Sequence, residues 1–241
     1  MRYAFIADVH SNLEALTAVL ADIEAVAPDR TVNLGDVVGY GPEPRECIAL
    51  LREKQIPMIA GNHDLAVCNR LSPQYFHSEA QASVRWTQDA ITDEDRAYLS
   101  GLSLLGESDL FMAAHGTFYR PELFEYIMSV FDAQVSFESF EAAFGFVGHS
   151  HVPAMFVLEG DRIEILQQPE TPVPEPRRAI VNVGSVGQPR DGNPQAAYAL
   201  FDTETRVVAF RRVAYDVERT IRKILATRLP PVNAYRLAEG Q

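Results

Sequence analysis

The sequence holds 241 residues with a formal net charge of −12, and 47% of them are apolar. A chain of that size can bury a substantial core as one large α/β domain or two small ones, while its acidity argues against a long nucleic acid held by phosphate neutralisation. Cys47 and Cys68 lack CxxC spacing and fit reduced thiols, and no signal peptide or run of transmembrane length is recognisable, so a cytoplasmic protein that does not enter a membrane is expected.

Tyr3 to Ala7 is an apolar run of strand type that ends at Asp8-Val9-His10-Ser11-Asn12. Leu13, Leu16, Val19, Leu20 and Ile23 then recur at helical spacing and predict a helix that stops before Pro28. Thr31 to Leu34 predicts a second strand, ending at Gly35-Asp36. A loop through Gly39-Tyr40-Gly41-Pro42-Glu43-Pro44 leads to a helix through Cys47, Ile48, Leu50 and Leu51. Ile56 to Ala60 predicts a third strand, which breaks at Gly61 and presents Asn62, His63 and Asp64 in succession. This β-α-β-α-β order implies a parallel sheet with right-handed crossovers.

Ser72 to Leu102 reads as helical, with Thr92-Asp93-Glu94-Asp95 as a helix start. Asp109 to Ala114 predicts a strand ending at His115-Gly116, Gln134 to Ala143 a helix, and Phe144 to Val147 a strand ending at Gly148-His149-Ser150-His151. Beyond this the texture turns to β: Ala154–Leu158, Arg162–Leu166, Ala179–Val183, Ala197–Phe201 and Val207–Arg212 are strand-like. Pro169 to Pro176 reads as an exposed loop, Val217 to Arg228 as a closing helix, and the last dozen residues as a loose tail. Without repeats or a clear linker, residues 1–241 are expected to form one domain with two sheets.

The chemistry gathers just past five predicted strand ends: Asp8 and His10; Asp36; Asn62 and His63; His115; His149 and His151. Only His77 of the six histidines lies elsewhere, and a lone histidine is ordinarily a structural residue, whereas a set placed this way is not. Carboxylates, imidazoles and one amide form a mixed N/O donor set suited to Mn, Fe or Zn. They are too many for one ion, and with one carboxylate shared they suit two ions about 3.5–4 Å apart.

Asp8-x-His10, Gly35-Asp36, Gly61-Asn62-His63-Asp64, Ala114-His115 and Gly148-His149-Ser150-His151 together resemble the five ordered motifs of the calcineurin-like metallophosphoesterase superfamily, over residues 1 to about 200. The resemblance implies an α/β (α+β) fold, a four-layer αββα sandwich of two mixed β-sheets flanked by helices. It also implies two divalent transition-metal ions per chain: Asp8, His10 and His151 on one, Asn62, His115 and His149 on the other, and Asp36 bridging. His63 takes the place of a non-ligand histidine that contacts phosphate and protonates the leaving oxygen. The implied activity is hydrolysis of a small phosphate ester by in-line attack of a metal-bound hydroxide.

Some branches of the superfamily, the phosphoprotein phosphatases and symmetrical dinucleoside-tetraphosphate hydrolases among them, carry an arginine in the second motif. Here that motif runs Gly35-Asp36-Val37-Val38-Gly39-Tyr40-Gly41, with none. The chain is therefore more similar to small bacterial and archaeal phosphodiesterases, in which Asn182-Val183-Gly184-Ser185-Val186-Gly187-Gln188-Pro189-Arg190 resembles a loop after a central strand. A small phosphodiester is the expected substrate, with a nucleotide among the candidates. A nucleotide phosphatase or dinucleoside-polyphosphate hydrolase is the alternative, and a non-catalytic scaffold of the same fold a distant one.

Other residues stay open between two readings. Arg120 and Arg190 either bind the second phosphate substituent or are surface arginines. Tyr40 either stacks on a base or covers its loop. Asp64 orients its neighbours or caps a helix, Cys47 is core, and His77 is structural, with Tyr75 and Phe76 beside it as candidate cleft edges.

Overall fold

The first strand buries both of its faces, which is why it reads as a continuous apolar run and not as an alternation. A computed structural model describes residues 1–241, the side chain of Tyr75 excepted. In chain order it contains β1 (Arg2–Ile6), α1 (Leu13–Val26), β2 (Arg30–Asn33), α2 (Pro44–Glu53), α3 (Asn62–Val67), α4 (Ser78–Ala90) and α5 (Asp93–Ser100). Next come β3 (Leu105–Glu107), β4 (Phe111–Ala114), α6 (Val130–Phe137), β5 (Phe144–Val147), β6 (Ala154–Glu159) and β7 (Arg162–Leu166). The chain closes with β8 (Glu170–Pro172), β9 (Arg178–Asn182), β10 (Ala196–Asp202), β11 (Val207–Val213), α7 (Val217–Leu225) and α8 (Val232–Glu239).

The strands form a five-stranded sheet ordered β2-β1-β10-β11-β8 and a six-stranded sheet ordered β3-β4-β5-β9-β6-β7. Both are mixed: β1 runs parallel to β2 but antiparallel to β10, and β5 runs parallel to β4 and β9 while β6 and β7 are antiparallel. The sheets meet through a buried layer that includes Phe5, Ala7, Leu34, Phe146, Val181 and Phe201. Phe5 and Phe146 stack across it with ring centroids 3.8 Å apart. Leu16, Val19 and Leu20 of α1 pack with Ala4 and Ile6 on the outer side of the first sheet. Ala133 and Phe137 of α6 pack with Val147, Phe156 and Ile180 outside the second. The four-layer αββα sandwich is thus built.

Four segments differ from the expectation. Ile56 to Ala60 is extended but makes only one bridge, Asn33 to Met58, because Pro57 has no N–H to give and serves only as an acceptor for Asn33 N, at 2.9 Å. The helix expected at Gln134 to Ala143 starts earlier, since Ser129 and Asp132 form a capping box in which Ser129 Oγ accepts from Asp132 N, and it ends at Phe137. The loop from Pro169 to Pro176 contains β8, whose Pro172 is tolerated because the strand lies at the sheet edge.

The last dozen residues are not a loose tail. Ala234 and Leu237 of α8, three apart on one face, pack on Ile224 and Leu229, and Pro231 and Gly240 bracket the helix. Asn233, fully buried, donates from Nδ2 to Tyr40 O and Ser83 Oγ, each at 2.9 Å. From α7, Thr220 Oγ1 donates to Asn12 Oδ1 at 3.0 Å, and Lys223 reaches both Glu14 and Glu43. These closing helices therefore brace the loops that follow β1 and β2. Among the described residues no helix is long and apolar enough to cross a membrane.

Candidate active site

The residues singled out past the strand ends come together. Asp8 and His10 follow β1, Asp36 follows β2, His115 follows β4, and His149 and His151 follow β5; Asn62 and His63 open α3. All eight are buried. Asp8, His10, Asp36, His149 and His151 hold left-handed backbone, with φ between 47° and 68°. Each such residue costs about 1–3 kcal/mol, and strain of this kind persists where the surroundings over-determine it. Here Asp8 N donates to Gly35 O and His10 N to Asp36 O, both at 3.0 Å, so the loops after β1 and β2 lock each other. Glycine is required where they approach most closely: a Cβ on Gly61 would run into Asp36, and one on Gly148 would lie 2.6 Å from Asp8 Oδ2.

Each carboxylate divides its oxygens between the backbone and the cluster. Asp8 Oδ2 accepts from His149 N at 2.9 Å while Oδ1 is buried with no partner. Asp36 Oδ1 accepts from His63 N at 2.8 Å, and Oδ2 lies 3.3 Å from His115 Nε2 and 3.7 Å from His10 Nε2. The imidazoles are oriented in the same way. Nδ1 of His10, His115 and His151 meets the carbonyls of Val38, Leu34 and Gln188 at 3.0, 2.8 and 2.6 Å, which turns each Nε2 inward. His10 Nε2 then faces His151 Nε2, and His115 Nε2 faces His149 Nδ1, both at 3.1 Å. Asn62 Oδ1 is another buried oxygen without a partner. Three groups bring donor atoms within 4.8 Å of one another: Asp8, His10 and His151; His10, Asp36 and His63; Asp36, His115 and His149. Inward lone pairs and orphaned carboxylate oxygens fit a metal.

Electrostatics agree. Burial pushes His149 down to about 3 and holds His10 and His151 well below the ordinary histidine value, leaving neutral imidazoles with a lone pair to give. His115 is the exception: burial opposes its charge, but Asp36 and Asp8 override that and raise it to about 10. Burial likewise opposes the charge of Asp36, yet His115 and His63 keep its carboxyl well below the usual range. The cluster calls for positive charge at its centre.

Asp64 does both things expected of it. Its carboxylate accepts from Asp36 N, Val37 N, Val38 N and Gly61 N at 2.8, 3.0, 3.3 and 3.0 Å, capping α3 and holding the turn after β2. Asp64→Ala strands four buried donors and should cost about 3 kcal/mol or more, whereas Asp64→Asn, which keeps an acceptor oxygen, should cost less. Urea unfolding of the two variants measures the difference.

The cluster floors a cavity of about 490 Å³, lined among others by Asp36, Tyr40, Asn62, His63, Phe76 and Arg190. His63 lies beside Tyr40, His10 and Phe76, with centroids 4.6, 4.9 and 4.9 Å away. Its Nδ1 is buried without a partner, and Gly39 packs against that nitrogen, so Nε2 is the nitrogen left for the cavity. Burial, with Arg190 adding to it, lowers His63 to about 4.

The open alternatives resolve unequally. Tyr40 is 5% exposed, and Arg190 lies over its ring at 5.6 Å, so that ring is covered and offers no platform to a base. Arg190 enters the cavity, tied by Gln188 Oε1 at 2.8 Å and by its own N–H to His151 O. Arg120 does not line the cavity; it is exposed and pairs with Glu122 at 3.7 Å. His77 caps α4 and also lines the cavity, its Nε2 3.3 Å from the Tyr40 hydroxyl. Phe76 lines it too, while the side chain of Tyr75 lies outside the described residues. Cys47 is buried in the core. Tyr126 carries no signal in the sequence, because it sits in a stretch with no periodicity; its ring stacks on His149 with centroids 4.0 Å apart and planes 14° apart.

Two mixed sheets whose loops bring buried carboxylates and imidazoles together define a site able to hold metal ions. The model of the calcineurin-like phosphoesterase superfamily domain matches residues 1–206, and the chain belongs to that family, whose members use divalent metal ions. It is 36% identical over 242 residues to an uncharacterized protein of Methanocaldococcus jannaschii, covering 99% of this chain and 98% of that one. The crystal structure of a metallophosphoesterase from Sphaerobacter thermophilus is 37% identical and superposes with a TM-score of 0.87 over 100% of this chain and 99% of that one. A hypothetical protein of Pyrococcus horikoshii, 22% identical, shares the fold with a TM-score of 0.82 over 100% and 98% of the two chains.

Proposed function

We propose that the chain is a dinuclear metal-dependent phosphodiesterase acting on small diesters. In this reading Asp8, His10 and His151 would hold one divalent ion, Asn62, His115 and His149 would hold the other, and Asp36 would serve both. The N/O donors suit Mn, Fe or Zn. When bound, such ions neutralise phosphoryl charge and make water acidic enough to act as a nucleophile near neutral pH. The observation that supports two ions over one is that Asp36 belongs to two distinct groups of close donor atoms, one with His10 and His63 and one with His115 and His149.

The cavity around the cluster has room for a diester. Arg190 is a cation lining it, seated on Tyr40 and Gln188, and can meet the phosphoryl negative charge of a diester or a monoester alike. The cavity of about 490 Å³ falls in the range of pockets that bury a whole organic ligand, which leaves room for a second substituent. His63, neutral while the cavity is empty, would take up a proton when the negatively charged ester lies against it and give that proton from Nε2 to the leaving oxygen. The small phosphate ester is the partner this reading assigns.

Bis-nitrophenyl phosphate and nitrophenyl phosphate, assayed with the same metal and pH, test the proposal. A higher kcat/KM for the diester is expected, with activity lost on chelation and restored by Mn²⁺. A clear preference for the monoester would overturn the diesterase reading in favour of a phosphatase.

A further inference from the structure

Phosphate chemistry needs the donor cluster, His63 and a cation, and the cavity offers more than these. Beside the cluster it is walled by Leu71, Phe76, Leu123, Phe124 and Tyr126. Leu123 and Tyr126 are each 47% exposed, so this wall of the cavity keeps apolar and aromatic surface open to an occupant. One face of the Tyr126 ring lies flat on His149, so its orientation is set by the site itself. The preceding turn is held equally firmly. Phe124 takes a left-handed φ of 52°, and a Cβ on Gly116, the residue after His115, would come within 2.7 Å of Glu125 O. Tyr126 is thus a preset flat surface at the edge of the cluster, with polar groups, Glu122 and His77, on the same lining.

We propose that this wall is a nucleobase subsite: the substrate carries a nucleoside whose base stacks on Tyr126, with the edge of the base toward Glu122 and His77. The inference rests on the cluster being the phosphate site. A flat ring exploits a tyrosine face in a way that an alkyl chain or a bare sugar does not. The polar groups on the lining match the donors and acceptors at a base edge, which a plain aryl group lacks. Tyr40, the other tyrosine of the lining, is excluded from this role because Arg190 covers its ring.

Binding to the Mn²⁺-loaded protein, followed by calorimetry, tests this without depending on turnover. The probes are the non-hydrolysable methylene phosphonate of adenosine 5′-monophosphate, the matching ribose phosphonate and benzylphosphonate. The nucleoside phosphonate should bind roughly tenfold or more tightly than the ribose one, the scale of a base–aromatic stack. Tyr126→Ala should erase that ratio and Tyr126→Phe should keep it, with metal content unchanged in both. Equal binding of the nucleoside and ribose probes overturns the proposal, as does a ratio that survives in Tyr126→Ala or benzylphosphonate binding as tightly as the nucleoside. A monoester preference in the nitrophenyl assay would instead remove the diesterase reading and leave the base subsite standing.

Discussion

His63→Gln should lower kcat by roughly 10²–10⁴-fold, the range for loss of a positioned proton donor, while leaving metal content unchanged. The separation of the two effects follows from how the residue is held. What ties His63 to Asp36 is its backbone N–H, which glutamine keeps. Its ring is walled by Tyr40 and Phe76 and backed by Gly39, and glutamine, of similar length, leaves little void. On the proposed reading its imidazole would act through Nε2 on the substrate. The defect should shrink with nitrophenolate, which leaves without needing a proton, and be largest with an alkoxide leaving group. His149→Gln is the control, expected to deplete metal because His149 turns Nδ1 into the cluster. Elemental analysis and steady-state kinetics on both variants decide the matter. Metal loss in His63→Gln with retention in His149→Gln would reverse the two roles.

On the two-ion reading, Asp36→Asn should leave one metal ion per chain or fewer and abolish most activity. Asp36 Oδ1 is already committed to His63 N, so Oδ2 alone stands between the His10 and His115 groups. Asparagine preserves the hydrogen bond and the shape while removing the charge that offsets repulsion between two cations. The affinity loss should exceed the roughly 10–100-fold seen when groups that only orient ligands are changed. Elemental analysis after loading with excess Mn²⁺ is the measurement. Two ions retained in the variant would mean that Asp36 is not the shared residue.

The contrast between what was and was not legible in the sequence is physical. Asp8, His10, Asp36, Asn62, His63, His115, His149 and His151 were legible because apolar runs end abruptly on polar residues, and a strand end is the one place where such side chains can converge. The left-handed backbone that makes the convergence possible was not, since aspartate and histidine, though more tolerant of it than most residues, adopt it too rarely to mark it as glycine does. β3 and β8 are three residues each, too short for a period of two to register. α8 had a readable frame, Pro231 before it and Gly240 after it, that eight residues of mixed character obscured. Tyr126 is the instructive miss. Its place is decided by a turn folding onto Gly116 and by a ring contact with a residue 23 positions away, 126 against 149, and no local pattern encodes either.

One pairing in the first sheet bears on how the protein comes into being on the ribosome. β1, which delivers Asp8 and His10, lies between β2 and β10, and its register joins Arg2 to Asp202 and Phe5 to Ala199. The opening strand therefore waits for nearly the whole chain before its second edge is covered. At about 5–20 residues per second that wait lasts roughly ten to forty seconds, during which an apolar strand has an unpaired flank. Synthesis thus imposes an order: the strand that leads into the first two residues of the cluster is made early and gains its second neighbour only after residues 196–202 have been made.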